Sequence, residues 1–286
     1  MSIELKSENF GEYYYLHDCG NPYERSEQWL GFFNNIAERI VKELEPKSVL
    51  DAGCAWGFLV EALRSRGVEA WGVDVSKYAI SNVHESIKDY CKVGSIVDPF
   101  ECKYDLIVNI EVLEHMQTAD AVKAIGNFCN ASDRVLFSST PFDYTEATHI
   151  NVQSPEYWSK EFALQGFYKE LDFDGSYITP WTSLFTKQNL SKSQLLTNYE
   201  RKYWFLQKEN VDLRQRSISD QSICARLESK IAATEQELNS LLKKNAELEQ
   251  SIKFANNEIV EYYSSTSWKI TKPFRWLSKK LKGKNA

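Results

Sequence analysis

The chain has 286 residues, 43% of them hydrophobic and 26% charged, with a formal net charge of −6. That length holds one α/β domain plus a further element, and the acidic balance argues against a nucleic-acid partner for most of it. No run of about 20 residues is apolar enough to span a bilayer, Met1–Lys6 lacks the apolar core of an export signal, and the six cysteines form no C-x-x-C pair, so the expectation is a cytoplasmic protein with reduced thiols.

Tyr13 to Pro22 is rich in aromatics and turn formers and has no clear periodicity. It reads either as a lid, with Tyr14, His17, Tyr23 or Arg25 reaching a ligand, or as an extension packed on the core. From Tyr23 to Glu45, the residues Trp29, Phe33, Ile36, Ile40 and Leu44 form one helical stripe, which Pro46 stops.

Ser48 to Asp51 is a short apolar strand ending on an acid. Gly53 and Gly57 then turn the chain into a helix carrying Phe58, Leu59, Ala62 and Leu63, and Val68 to Asp74 is a second strand ending on another acid. Such a unit leaves room for a nucleoside at the carboxyl end of its first strand, with Asp74 placed to accept hydrogen bonds from ribose hydroxyls. The spacing Gly53-x-x-x-Gly57, with Ala55 in place of a middle glycine, departs from the pyrophosphate-binding pattern, and a phosphate-free ligand demands fewer closely approaching amides.

Ser76 is expected to cap a helix running to about Tyr90. Cys91–Gly94 is a short strand leading to Ser95 and Ile96, and Tyr104–Ile110, nearly continuous in apolar residues, is a central strand. A helix over Thr118–Asn130 and a strand over Arg134–Ser138 follow. Ser154-Pro155-Glu156 opens the next helix, and Phe167–Phe173 and Trp181–Thr186 supply the last two strands.

Glu111, Glu114 and His115 stand at i, i+3 and i+4 after the central strand. On a helical turn all three would point from one face into the cleft. With His149 as a fourth ligand they form a hard-cation site; without a metal, His115 or His149 serves as a general base, and Glu111 shares the catalytic face.

From Leu196 to Tyr262 an uninterrupted heptad places Leu206, Leu213, Leu227, Leu241 and Leu248 at d and Ile231, Leu238 and Ile252 at a, a coiled coil suited to parallel strands. Asn210 and Asn245 at a favour a dimer, while Ser217 and Asp220 leave a trimer open. From Tyr262 to Ala286 there are seven basic residues and no acid, so the chain's −6 leaves −13 on the rest once these positive charges are set aside. Phe274, Leu277 and Leu281 share one face among lysines (Lys279, Lys280, Lys282, Lys284) and Trp276, the pattern of a helix lying on anionic lipid or docking on a protein.

Asp51-Ala-Gly53-Cys54-Ala55-Trp56-Gly57, then Gly72-Val-Asp74, then Tyr104–Asn109 followed by Glu111-Val-Leu-Glu114-His115, resemble the successive motifs of class I S-adenosylmethionine-dependent methyltransferases. The resemblance implies an α/β fold, a Rossmann-like seven-stranded sheet followed by a long coiled coil and a short amphipathic tail. It implies S-adenosylmethionine held by Asp51, Gly53, Cys54, Ala55, Gly57, Asp74, Val75, Asn109 and Arg25, with Ser95 and Ile96 beside the adenine. The Glu111 to His115 turn is similar to that of ubiquinone-pathway O-methyltransferases and of small-RNA 2′-O-methyltransferases, in which this turn, joined in the latter by a downstream histidine, holds Mg²⁺ beside the methyl donor. Mg²⁺ or another divalent metal on Glu111, Glu114, His115 and His149, a metal-free base, and a structural role all remain open. Asn109-Ile-Glu-Val replaces the Asn-Pro-Pro-aromatic loop of amino methylation, which points to an oxygen acceptor.

The segment Ser267–Leu277 resembles one at the ends of bacterial surface-polysaccharide glycosyltransferases and methyltransferases. The expected organisation is a methyltransferase domain over 1–190 with an N-terminal lid and cover helix, a parallel coiled coil over 191–263, and a basic aromatic tail over 264–286. The expected activity is O-methylation of a sugar hydroxyl on a bacterial surface glycan or glycolipid of the O-antigen type, capping its non-reducing end. The tail would then touch the inner face of the plasma membrane or polysaccharide-synthesis proteins. A membrane scaffold with a weakly active head and an RNA 3′-end 2′-O-methyltransferase are the alternatives.

Overall fold

The computed structural model describes residues 7–19 and 21–282. Gly20, Lys284 and the side chains of Lys279, Lys280, Leu281 and Lys282 lie outside the described residues. Contacts divide the chain into two units, Met1–Lys202 and Tyr203–Ala286.

In the first unit α1 (Glu12–His17) and α2 (Glu27–Leu44) precede β1 (Ser48–Ala52), α3 (Phe58–Arg64), β2 (Glu69–Asp74), α4 (Lys77–Ser81), β3 (Cys91–Val93) and β4 (Leu106–Ile110). There follow α5 (Thr118–Ala131), β5 (Arg134–Ser138), α6 (Pro155–Leu164), β6 (Phe167–Lys169) and β7 (Ser183–Lys187). The strands form one sheet in the order β3-β2-β1-β4-β5-β7-β6. Neighbours from β3 to β5 are parallel, and β7 lies antiparallel between β5 and β6. The chain moves outward from β1 to β3, then returns to lay β4 on the other side of β1. The carboxyl ends of β1 and β4 are thus a topological switch point, from which the connections part to opposite sides, the place where open α/β sheets bind ligands.

Alternation along β1 splits the core in two. Val49 faces Ile36 and Ile40 of α2 and Leu59 and Leu63 of α3, whereas Leu50 faces Ile125 and Phe128 of α5 and Phe162 of α6. Burial on both faces explains why the central strands are nearly all apolar. Ser26 Oγ accepts from the amide of Trp29 to start α2, and Glu45 in a left-handed conformation (φ 46°), followed by Pro46, ends it. A third cluster gathers Tyr15, Tyr23, Phe58 and Ala79 beneath Trp29, Trp56 and Tyr78, and so fixes the N-terminal segment to the rest.

Several boundaries differ from the expected ones. The helix expected from Ser76 to Tyr90 stops at Ser81 and resumes as a 3-10 turn over Glu85–Tyr90. Asn82 Nδ2 donates to the Tyr78 carbonyl and His84 Nδ1 accepts from the Ser86 amide, local bonds that compete with continued helix. Ser154 takes the capping conformation of α6, but its hydroxyl makes no cap bond. The last two strands are shorter than expected.

A single helix, α7 (Lys192–Ser264), is 73 residues long, about 110 Å at the usual rise. Its heptad leucines Leu206, Leu213, Leu241 and Leu248 are exposed within the chain. After α7 come α8 (Thr266–Ile270) and α9 (Lys272–Lys282). Ser265 Oγ caps α8 on the Trp268 amide, Tyr262 packs 4.6 Å from the Trp268 ring, and the Arg275 guanidinium lies 3.3 Å over its face, so the corner is held by aromatic contacts. Among the described residues no helix is long and apolar enough to cross a membrane.

Candidate functional site

The first half of the site is the turn from β1 into α3. Gly53 (φ 93°), Ala55 (φ 46°) and Gly57 (φ 72°) all adopt positive φ. The amides of Gly53 and Cys54 both bond the Val73 carbonyl, which closes the loop on the end of β2. A Cβ on Gly53 would lie 2.4 Å from Val112 Cγ2. Gly53→Ala is therefore expected to destabilise the protein by about 2–4 kcal/mol, from backbone strain plus the clash; denaturant unfolding measures it, and an unchanged midpoint would contradict the geometry.

Asp51 and Asp74 are both buried at this mouth. Asp74 accepts the amides of Ala55 and Ser76, each at 2.8 Å, one on each oxygen. A carboxylate has further lone pairs, so ribose hydroxyls can still be accommodated. Burial, then repulsion from Asp74, pushes the Asp51 carboxyl up to about 8. Burial also raises Asp74, against the amides that lower it. Val75, which follows, is 42% exposed and offers an apolar edge.

The other residues expected at this end fall in different places. Cys54 is buried against Gly72 and Cys91 and presents only backbone. The Ile96 side chain is buried in the core beside Leu50 and Val73 rather than facing a ligand, while Ser95 Oγ accepts the Val97 amide. Asn109 is fully buried and donates from Nδ2 to the Ala52 carbonyl at 2.6 Å, which braces the ends of β1 and β4. Arg25 is committed to Glu61, with two bonds of 2.6 and 2.7 Å.

The second half lies beyond β4 and β5, and here the expected helical face is corrected. Glu111 is left-handed (φ 51°) and Val112 is non-helical, so only Leu113–His115 form a 3-10 turn. Glu111, Glu114 and His115 therefore do not share a helical face. Glu111 Oε1 instead accepts from Trp181 Nε1 at 2.9 Å. Glu114 is fully buried, and burial, then the charge of Glu111, drives its carboxyl well above the usual range.

His115 and His149 face each other with ring centres 4.7 Å apart. His149 Nδ1 lies 2.9 Å from the Asp143 carbonyl and Nε2 lies 3.1 Å from Glu146 Oε2. Both partners can only accept, so both nitrogens carry hydrogen and the ring is an imidazolium. Burial opposes that charge, but the bonds to Glu146 and Asp143 outweigh it and raise the pKa of His149. Glu146 is held low in turn, where bonds from His149 and Thr148 overcome burial. His115 is the opposite case: burial, beneath the rings of Phe10 and Tyr14, drives its pKa down to about 4 and keeps it neutral.

Ligand atoms of Glu114, His115 and His149 lie within 4.8 Å of one another, as do those of Asp143, Glu146 and His149. The expected four-ligand metal set is not assembled as such. Glu111 is outside both groups, and His149 has no lone pair to give while it bonds Asp143 and Glu146. As arranged, these donors do not fit a divalent cation.

An N-terminal roof joins the two halves. Ser76 Oγ donates to the Phe10 carbonyl at 2.5 Å, Tyr15 stacks on Tyr78, and the Tyr14 hydroxyl reaches His115 Nε2 at 3.3 Å. Of the residues expected in a lid, Tyr14 reaches the site, Tyr23 packs on Phe58, and His17 packs on Tyr13. Sequence reasoning missed Tyr15, Glu146, Thr148 and Trp181. The run Glu146-Ala-Thr148-His149, three polar functions in four residues, was the available signal.

Buried polar atoms without partners gather at the carboxyl ends of the strands: Asn109 Oδ1, Glu114 Oε2, Ser138 Oγ and Ser139 Oγ. Such orphans are uncommon. With Asp51 and Asp74 beside them they fit a nucleoside ligand that carries cationic groups.

Sheet order, glycine turn and paired acids together define the fold of the class I S-adenosylmethionine-dependent methyltransferases. Residues 23–171, just over half of the chain, match the methyltransferase-domain family, and the chain belongs to it. It is 32% identical over 105 residues to a ubiquinone biosynthesis O-methyltransferase of Alkalilimnicola ehrlichii, covering 34% of this chain and 42% of that protein. It is 29% identical over 138 residues to the protein of the same name from Idiomarina loihiensis, covering 45% and 53%. The chain thus spans about half the length of these curated relatives. Among solved structures it is similar to the magnesium protoporphyrin IX methyltransferase of Synechocystis with bound S-adenosylmethionine, at TM-score 0.48 and 16% identity over 66% of this chain and all of that one. An amino pentose methyltransferase from Micromonospora echinaspora also aligns at TM-score 0.48, with 12% identity over 57% and 93%.

Proposed function

We propose that the protein transfers a methyl group from S-adenosylmethionine to a hydroxyl oxygen, with His115 as the base. The observation that carries this reading is His115 itself: a neutral imidazole whose Nε2 meets a hydroxyl, that of Tyr14. The bound donor supplies a sulfonium carbon that is already electrophilic. Asp51 and Asp74 hold the nucleoside end, the roof excludes water, and His115 Nε2 takes the acceptor's proton as the oxygen–carbon bond forms and the carbon–sulfur pair leaves with sulfur. The loop Asn109-Ile-Glu-Val and the O-methyltransferase names of the relatives support an oxygen acceptor.

The acceptor we favour is a sugar hydroxyl of a surface glycan, capped at its non-reducing end. The acidic head, the rod and the polysaccharide-type tail motif support it. A phenolic hydroxyl of a quinone precursor is the second reading, favoured by the names of the relatives. Incubation with labelled methyl donor and candidate glycans or phenols decides between them; label in neither class sinks both. Turnover is expected to survive excess chelator, and its loss would restore a metal on Glu114, His115 and His149.

The exposed heptad seam supports self-association as a parallel dimer or trimer, read by sedimentation equilibrium. The aromatic, basic α9, with Phe274 73% exposed, supports peripheral contact with an anionic membrane from the cytoplasmic side, or with a polysaccharide-synthesis protein. Deleting residues 264–286 is expected to abolish co-sedimentation with vesicles containing phosphatidylglycerol while leaving methyl transfer to a soluble acceptor intact. Undiminished sedimentation would remove the tail as an anchor.

A further inference from the structure

Thr148 has one hydroxyl hydrogen, and it goes to Glu146: Oγ1 donates to the carboxylate oxygen Oε1. Its oxygen must therefore meet His115 Nδ1, 3.0 Å away, as an acceptor, which places the imidazole hydrogen on Nδ1. A neutral ring has one N–H, so Nε2 carries the lone pair. The Tyr14 hydroxyl, which also meets Cys19, lies 3.3 Å from Nε2, and with the His115 hydrogen on Nδ1 it faces that lone pair as a donor. Glu146 is itself fixed from the other side by His149, 3.1 Å from Oε2, and Asp143 fixes His149. A chain of one-way hydrogen bonds thus runs from the loop after β5 to His115.

We propose that Glu146 and Thr148 are positioning residues: carboxylate and hydroxyl in series hold His115 as its Nδ1–H tautomer and aim the Nε2 lone pair at the acceptor oxygen, in the place marked by the Tyr14 hydroxyl. The inference rests on the reading of His115 as the base. Its physical content is a choice between tautomers. Free imidazole of histidine prefers the hydrogen on Nε2, which would leave no lone pair facing the acceptor; the relay reverses that preference. When the acceptor's proton arrives on Nε2, the Nδ1–H bond to Thr148 is already made, and the carboxylate beyond it faces the new positive charge. His149, held as an imidazolium, neutralises Glu146 enough to keep that carboxylate from taking the proton itself.

The test uses the full chain with nitrogen-15 histidine. There are four histidines, His17, His84, His115 and His149, so single replacements assign them. Long-range proton–nitrogen correlations at pH 7 are expected to show His115 with hydrogen on Nδ1. Thr148→Ser is expected to keep that pattern and most of kcat. Thr148→Val is expected to move the hydrogen to Nε2 and to lower kcat about 10- to 1000-fold, with KM for the donor unchanged. Glu146→Gln is expected to fall between the two. Hydrogen on Nε2 in the wild-type protein, or a Thr148→Val protein with wild-type tautomer and kcat, overturns the proposal. If the wild type shows the Nδ1–H pattern but His115→Ala transfers methyl at the same rate, the base reading fails instead, so the two failures are told apart.

Discussion

Replacing His115 with alanine is expected to lower kcat by about 10²- to 10⁴-fold, the usual span for loss of a general base, with little change in donor affinity. The split follows from placement: His115 lies on the turn after β4 beneath Phe10 and Tyr14, while Asp51 and Asp74 stand on β1 and β2. The pH profile carries the same claim. Burial drives His115 down to about 4, and the base acts only when neutral. Wild-type kcat is therefore expected to stay level as pH drops from 8 to about 5 and to decline only as the ring is protonated near pH 4. A profile with an apparent pKa near that of free histidine would mean the base is a hydrated group elsewhere. Calorimetry on the alanine protein checks the other half; a donor affinity lost along with kcat would place His115 in the binding site instead.

Asp51→Asn is expected to raise the unfolding temperature of the unliganded protein at pH 8 while weakening S-adenosylmethionine binding about 10- to 100-fold. The sign comes from linkage. Asp51 is raised from an ordinary 3.8 to about 8 in the folded chain. Its folded state binds the proton more tightly than the unfolded one, so the stability it contributes is complete below about pH 4 and is lost as pH rises through about 8. The shift sets an upper bound on the order of 6 kcal/mol. Asparagine removes the charge, and the pH slope between 4 and 8 is expected to flatten in thermal scans. A ligand bearing a positive amine and sulfonium does the same for the wild type by compensating the carboxylate, so the donor should stabilise the protein more at pH 8 than at pH 5. Equal slopes in wild type and variant would show that Asp51 is not the group responsible.

What could be read from the sequence follows the physics of each element. β1 and β4 are legible because parallel central strands are buried on both faces and leave apolar runs, and β2 because its residues alternate up to Asp74. Gly53 and Gly57 are legible because the turn demands positive φ. Glu111, Glu114 and His115 misled because i, i+3, i+4 spacing implies a shared face only on a helix, and Glu111 at φ 51° breaks it before the turn begins. Ile96 has the right place in the chain, yet its side chain is worth more in the core beside Leu50 and Val73 than against a ligand. Glu146 and Thr148 stand in a loop without periodicity, and nothing local shows that Thr148 will meet a ring 33 residues earlier. Arg25, free in sequence, is claimed by Glu61 on α3. Long-range pairing of polar groups is what the one-dimensional pattern does not carry.

The N-terminal roof couples the two halves of the site. Phe10 is tied to Ser76, which itself bonds Asp74, while Tyr14, four residues on, is tied to His115. One turn of chain thus staples the end of β2 to the turn after β4, so a substitution that unpins either end of that turn is felt at the other.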